Sequence, residues 1–475
     1  MSLTVSSQRV VQLLLVAVGF LLVAYAVSDH PLYGGEPGFG GVQKLVVAAG
    51  VAVALCSLLP NRIAGGVLLV TIASLAMLAF AEIAGEIVLG ARQRPIYQAD
   101  DRLIFKFIPD RRSVMTHARV NGGETVEHRI NSQGFRGAEL RPAGAMTRLV
   151  VYGDSFIHAF YTRQEETFVA RLGASLAERI GRPVEAVNAG VSSYGPDQIA
   201  LKMEDELGRL RPDLVVVAVF AGNDYGDLVR NKIFRLGADG SLVENRWKLD
   251  PQVRMWLDLS QRESILKRTI RSLLGAAPAT ANPGADVTRT DFLLAEAERE
   301  YKSFVLDHDD VVTNTHVDYY SADVSMAPGS ASARYKVALM QAVLRRIRDV
   351  AARSGVPLAF LFIPHPADVS ESNDWGMGDR RRFPGYDGRN QIAPLEAAAT
   401  SLGVPFLSLY NLYRSHGAGA LYLHGGDDHW NAAGQRLAAT AMAEFLVQQG
   451  LPRPKEGAIT SSGKGGALPT RPPAR

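Results

Sequence analysis

Leu149-Val150-Val151-Tyr152-Gly153-Asp154-Ser155-Phe156 is an apolar, β-branched run that stops on a glycine and delivers an aspartate and a serine. A short, continuous apolar run bounded by turn residues reads as a strand buried on both faces, the strand type of parallel sheets. Similar runs stand at Val184–Asn188, Leu214–Phe220, Leu358–Ile363 and Pro405–Leu409. Between them lie amphipathic stretches at Thr167–Ile180, Gln198–Leu210, Tyr335–Ala352 and Gln391–Leu402, and a last one covers Ala432–Gln448. Alternating strands and helices predict a parallel α/β sheet. Right-handed crossovers then gather the loops that follow the strands on one edge, and Ser155 is presented there.

A neutral serine hydroxyl is a poor nucleophile. It needs an imidazole to take its proton and a carboxylate to fix the imidazole tautomer and balance its charge. Gly426-Asp427-Asp428-His429-Trp430-Asn431, just before the last helix, offers both groups and can bring His429 over the sheet edge. Gly-Asp-Ser alone also suits a plain helix N-cap by Asp154 or Ser155. Two further strand ends weigh on the other side, because Asn188-Ala189-Gly190 and Gly222-Asn223-Asp224 deliver small or amide-bearing residues to the same edge. Backbone N–H groups of Ser155 and Gly190 and the side-chain amide of Asn223 are the candidate oxyanion donors.

On these blocks, from about Arg148 to Gly450, the chain resembles the SGNH hydrolases, also called GDSL esterases. Gly153-Asp154-Ser155 resembles the family's first block, Gly190 the second, Gly222-Asn223-Asp224 the third, and Asp427 with His429 the last. The resemblance implies a flavodoxin-like three-layer α/β/α sandwich, and ester hydrolysis or acyl transfer without metal or cofactor. One departure is that many members carry an aspartate three residues before the histidine, where this chain has Gly426. Asp427 to Asn431 instead looks like the Asp-x-His-Trp variant of SGNH-like proteins in bacterial exopolysaccharide pathways, alginate acetylation proteins among them. Asp427 is therefore assigned as orienter of His429, with Asp428 as the alternative and a Ser–His dyad as a third arrangement. Ile130 to Gly137 is similar to lead-ins of membrane-anchored relatives and carries no chemistry in itself.

Other histidines are weaker candidates. His158 and His365 are candidate substrate contacts, or else ordinary exposed histidines. His424 with Asp427, Asp428 and His429 has the composition of a metal site, but loop carboxylates beside a histidine are commonly solvated, and no metal is expected. The chain has no Gly-x-Ser-x-Gly elbow, which argues against the α/β-hydrolase arrangement.

An apolar content of 47% hides a concentration before residue 90. Val10–Val27, Leu45–Leu59 and Ile63–Ala81 are three candidate spans, where roughly 20 residues are needed to cross an apolar core of about 30 Å. The middle run is marginal in length and also reads as a buried or re-entrant segment. The first also has features of a signal peptide, with Arg9 before it and Ala24-Tyr25-Ala26 at its end. Either way the rest of the chain falls on the outer side. Charge counting points the other way, since Lys44, Arg92, Arg94, Arg102 and Lys106 would outnumber Arg9 and Arg62. A net charge of +3 with scattered basic residues calls for no nucleic acid. The single cysteine, Cys56, excludes an intramolecular disulfide and a cysteine-rich zinc site.

The expected organisation is a membrane region at 1–90 with about three transmembrane helices, then a small β-rich lead-in at 91–146. A hydrolase domain follows at 147–450, with a helical and loop insertion at 225–334 that could act as a lid or recognition surface, or be a plain excursion. Gly275 to Asp286 reads as a mobile loop, and 451–475 as a disordered tail. The expected protein is an inner- or plasma-membrane SGNH esterase or O-acyltransferase with its catalytic domain in the periplasm. Its expected substrate is acylated cell-envelope polysaccharide, with the envelope polysaccharide machinery as partner. A lipid or small-ester hydrolase is the second reading, and an inactive membrane assembly or binding protein the third.

Overall fold

A computed structural model describes residues 7–28, 41–89, 96–117, 124–259, 285–315, 321–370, 382–423 and 427–452. Its centre is a five-stranded sheet in the order Phe406–Ser408, Leu358–Ile363, Leu214–Phe220, Thr147–Tyr152, Val184–Asn188, every pair parallel. Every residue of the three inner strands is buried, which is why those stretches are apolar without alternation. The two edge strands are only partly covered and carry polar residues such as Glu185 and Ser408.

The chain lays down Thr147–Tyr152 first, moves outward to Val184–Asn188, and then returns to the other side for the remaining three strands. This is the flavodoxin-like order, in which loops at the carboxyl ends of the first and third strands border a crevice at the reversal point. Ser155 follows the first strand and Asn223 the third. The topology alone therefore brings them to the same crevice.

Helices Phe168–Ile180 and Ala432–Gln448 pack on each other, and Pro196–Leu210, Ala331–Arg353 and Ala393–Leu402 form a second group around Ala331–Arg353. Two of them start earlier than periodicity suggests. Pro196 occupies the first turn, where a missing N–H costs nothing, and the Ser330 side chain caps Ala331–Arg353 by accepting the Ala333 N–H at 3.0 Å.

The lead-in forms two antiparallel pairs, Tyr97–Asp100 with Ile104–Phe107 and Arg111–Thr116 with Thr125–Ile130. Single bridges join Ile130 to Arg136 and Arg136 to Asn188, so the second pair is stitched to the sheet edge. Ile96, Phe105, Phe107, Ile130 and Phe135 share one hydrophobic core with the sheet. Within the 225–334 insertion, helix Pro251–Leu259 packs on Tyr97–Asp100, and its Asp258 accepts the Ala99 N–H at 3.0 Å. Most of Gly275 to Asp286, and the tail beyond residue 452, lie outside the described residues.

At the N-terminus three apolar helices run over Ser7–Val27, Gly41–Leu55 and Asn61–Leu89. The first and third are long and apolar enough to cross a membrane. The middle one is not: its 15 residues rise about 22 Å, short of an apolar core of about 30 Å. Two helices rather than three therefore meet the length criterion among the described residues. The first two cross where a Cβ on Gly19 would stand 2.4 Å from the Gly50 carbonyl oxygen, so a side chain there would force them apart.

Leu361, fully buried in the inner strand Leu358–Ile363, tests the layered core. Leu361→Ala should destabilise the protein by about 2–5 kcal/mol, measured by denaturant unfolding of the full chain in detergent. A loss below about 1 kcal/mol would contradict a strand covered on both faces.

Candidate active site

The strand Thr147–Tyr152 ends on Gly153, and the backbone turns at Asp154 into a single helical turn, Ser155–His158. The Asp154 carboxylate accepts the Phe156 N–H at 2.9 Å, capping this turn and fixing the direction in which Ser155 leaves the sheet. The turn ends at Ala159, whose φ of 56° lies in the left-handed region that a Cβ disfavours. Arg136 holds it there, donating from one guanidinium nitrogen to the His158 and Ala159 carbonyls, the latter at 2.6 Å, and from another to the Thr162 carbonyl at 2.6 Å.

His429 comes from the other end of the chain. Asn431 caps helix Ala432–Gln448 by accepting the Ala433 and Gly434 N–H groups, and its amide donates to the Ala420 carbonyl at 2.9 Å. The His429 carbonyl accepts the Leu423 N–H at 2.8 Å, and the Phe156 ring lies 5.2 Å from the imidazole. Backbone and ring are thus both supported.

Ser155 Oγ and His429 Nε2 are 2.7 Å apart, and His429 Nδ1 is 2.7 Å from Asp427 Oδ1. The same Asp427 oxygen accepts the His429 backbone N–H at 3.0 Å, whereas Asp428 Oδ1 stands 3.5 Å from Nδ1. Asp427 makes the hydrogen bond, and Asp428 acts through its charge. Burial pulls the His429 pKa down, but the bond to Asp427 and the charges of Asp428, Asp427 and Asp154 outweigh it, leaving His429 pushed up to about 9. Burial raises Asp427, yet its bonds to His429 and Tyr161 and the imidazolium charge hold it below the usual carboxylate range.

A Cβ on Gly190 would stand 2.5 Å from the His158 nitrogen and 2.7 Å from Ile157 Cβ, so only glycine lets this loop lie against the Ser155–His158 turn. Asn188 ties the two together, its amide donating to the Ile157 carbonyl at 2.7 Å while its oxygen accepts the Gly190 N–H at 3.0 Å. The Gly190 N–H is therefore already engaged. Asn223 sits at the start of helix Asp224–Asn231, makes no side-chain cap bond, and keeps its Oδ1 buried without a hydrogen-bond partner. Its carbonyl accepts from Gly226 and Asp227, and Asp224 accepts the Phe220 N–H at 2.8 Å, so the turn that carries Asn223 is pinned on both sides.

His158 does not reach the crevice. It is fully buried, with Nδ1 2.6 Å from Ser192 Oγ and its ring against Phe107 and His128, because the lead-in strands cover that side of the turn. The expectation of a substrate contact or an exposed histidine is corrected accordingly. His365 borders the third block: a Cβ on Gly222 would lie 2.8 Å from its Cδ2. Its Nδ1 accepts the Ala367 N–H at 3.2 Å, so the neutral ring carries its proton on Nε2. His424 lies outside the described residues. Asp427, Asp428 and His429 cluster closely enough to suggest an ion, but both His429 nitrogens are engaged, by Asp427 and by Ser155. That geometry does not fit a metal ligand set.

Three solved structures are similar to part of the chain. An alpha/beta hydrolase enzyme from the metagenome of Lake Arreo, Spain, aligns at 14% identity over 64% of this chain and 96% of its own, with a TM-score of 0.33. The acetylxylan esterase Axe2 from Geobacillus stearothermophilus aligns at 12% identity, 63% and 94%, with a TM-score of 0.32. The psychrotrophic esterase EstA from Pseudoalteromonas sp. aligns at 11%, 64% and 98%, with a TM-score of 0.31. No curated protein matches. The model of the GDSL-like lipase/acylhydrolase family, by contrast, matches residues 151–390, half of the chain, beginning on the strand that delivers Ser155. The chain belongs to the GDSL-like lipase/acylhydrolase family, the SGNH hydrolases.

Proposed function

We propose that the protein is a serine esterase in which Ser155 is the nucleophile, His429 the general base and Asp427 the orienter. The observation that carries this reading is the continuous relay from Ser155 Oγ through His429 to Asp427, with both links at 2.7 Å. His429 in its neutral form takes the hydroxyl proton as Oγ attacks the ester carbonyl, then returns it to the departing alcohol, leaving an acyl-enzyme. The Ser155 N–H and the Asn223 amide stabilise the oxyanion, and Gly190 contributes by sharing its N–H between Asn188 and that oxygen. Water completes hydrolysis, and a sugar hydroxyl in its place completes O-acyl transfer. His365, whose ring borders Gly222, is the further substrate contact in this reading.

The two long apolar helices support a membrane-anchored enzyme, and we place its catalytic domain on the periplasmic side. Anchoring and the Asp-x-His-Trp sequence together favour acylated cell-envelope polysaccharide as substrate. Activity against acylated sugars, aryl esters and lipid esters, each with Ser155→Ala as control, separates this substrate class from lipid or small esters.

Four outcomes are expected. A fluorophosphonate probe should label the full chain in detergent and fail to label Ser155→Ala; no adduct under conditions that label a control serine esterase would refute the enzyme. Asn223→Ala should cut kcat by about 10² to 10³ with KM little changed, measured on an aryl ester, and an unchanged kcat would remove Asn223 from the oxyanion site. Because the base must be neutral and His429 is pushed up to about 9, kcat/KM should rise with pH until about that value. Asp427→Asn and Asp428→Asn should each move this limb to lower pH by removing a charge, but only Asp427→Asn should lower kcat, by about 10⁴. Equal losses in the two variants would overturn the assignment of Asp427.

A further inference from the structure

Arg136 places a positive charge in the core. It is 2% exposed, and backbone bridges tie it to Ile130 in the lead-in and to Asn188 on the edge strand of the sheet. Among the described residues its hydrogen bonds all go to main-chain carbonyls, those of His158, Ala159 and Thr162. Burying a charge is costly, and a well-packed apolar side chain of similar volume often gives the more stable protein. Filling space is therefore a poor reason for an arginine here, and what the three carbonyls belong to supplies a better one.

They lie at and beyond the exit of the turn that Ser155 opens. A single helical turn fixes several dihedrals for very few hydrogen bonds, and its last carbonyls find no partner within it. Asn188 takes the Ile157 carbonyl at 2.7 Å, and Arg136 takes the next two, His158 and Ala159, the latter at 2.6 Å. Ala159 is left-handed, a conformation that costs an L-residue roughly 1–2 kcal/mol, so this exit is held against its local preference. The same guanidinium reaches the Thr162 carbonyl at 2.6 Å, and the Thr162 hydroxyl accepts from the Gln435 amide, on the helix that follows His429. One planar fork thus joins the exit of the serine's turn to a loop that is itself bonded to the element behind the base. A lysine ammonium lacks that fixed geometry.

We propose that Arg136 is a positioning residue for Ser155: its guanidinium fixes the exit of the turn, and through it the distance from Ser155 Oγ to His429 Nε2. The inference rests on the reading of Ser155 as nucleophile. It makes the lead-in, which lies before the residues 151–390 matched by the family model, a working part of the catalytic domain rather than a spacer after the apolar helices.

The test compares Arg136→Ala and Arg136→Lys with Arg148→Ala, all in the full chain in detergent. Arg148 is the matched control: 4% exposed, it donates to the Leu210 carbonyl at 2.6 Å and to that of Arg141, and it pairs with Glu185. It does so from the start of the strand Thr147–Tyr152, the end away from Ser155. With activity on an aryl ester normalised to the folded fraction, Arg136→Ala should lower kcat about 10²-fold with KM little changed, the scale of a reacting group displaced by roughly 1 Å. Arg136→Lys keeps the charge without the fork and should lose less, in the same direction, and it decides the matter if Arg136→Ala does not fold. Arg148→Ala should leave the kcat of folded molecules unchanged. An unchanged kcat in the Arg136 variants, or an equal loss in Arg148→Ala, would overturn the proposal and leave Arg136 as fold support. A second readout, amide hydrogen exchange followed by mass spectrometry, needs no turnover. The His158 and Ala159 N–H groups are bonded to the Asp154 and Ser155 carbonyls at 2.9 and 2.8 Å. Their exchange should quicken by about tenfold or more in Arg136→Ala, the scale of one hydrogen bond to a charged group, while that of the strand Leu214–Phe220 stays as it was. Unaltered exchange at the turn would overturn the proposal. A wild-type chain that hydrolyses no ester, together with faster exchange of the turn in Arg136→Ala, would refute the esterase reading and leave the clamp standing.

Discussion

The hydrogen bond between Ser155 and His429 spans 274 residues of chain and closes the structure around its active edge. Neither residue is remarkable locally. Ser155 opens a one-turn helix after an inner strand, and His429 lies in a loop before the last helix. Their meeting depends on the sheet order, which places the ends of the first and third strands either side of a reversal point, and on helix Ala432–Gln448 packing beside Phe168–Ile180. The layers fix the helices, the helices fix the loops, and the loops bring the imidazole to the hydroxyl.

Once that bond is made, its electrostatics follow from what surrounds it. Three carboxylates, Asp427, Asp428 and Asp154, raise the imidazole's proton affinity against the pull of burial. Only one makes a hydrogen bond to the ring. An aspartate two residues before its histidine reaches both Nδ1 and the histidine's own backbone N–H, so the short spacing gives a tight local turn. In the proposed mechanism this lets Asp427 orient the ring without the three-residue spacing expected from the resemblance, while Asp428, one residue nearer, holds its oxygen 3.5 Å from Nδ1.

Much of the fold was legible because burial on both faces writes itself into sequence: Leu214–Phe220 and Leu358–Ile363 coincide with their apolar runs to the residue. The helix starts at Pro196 and Ala331 were read late, since proline and serine at a first turn carry no apolar period. Ser155, His429 and Asp427 were legible as chemistry, and the structure brings them together at hydrogen-bond distance. His158 was misjudged because nothing near it in sequence reveals that Phe107 and His128, from the lead-in strands, would cover it. Arg136 was silent for a different reason: it binds main-chain carbonyls, which every residue has, so no partner type betrays it.

The central claim is that Ser155 takes the acyl group. Acid-quenching the full chain during steady-state turnover of an aryl acetate and mapping its peptides by mass spectrometry tests this directly. The account predicts an added acetyl group on the peptide containing Ser155, assigned to that residue by fragmentation. Sustained turnover with the acetyl group on another residue would contradict it.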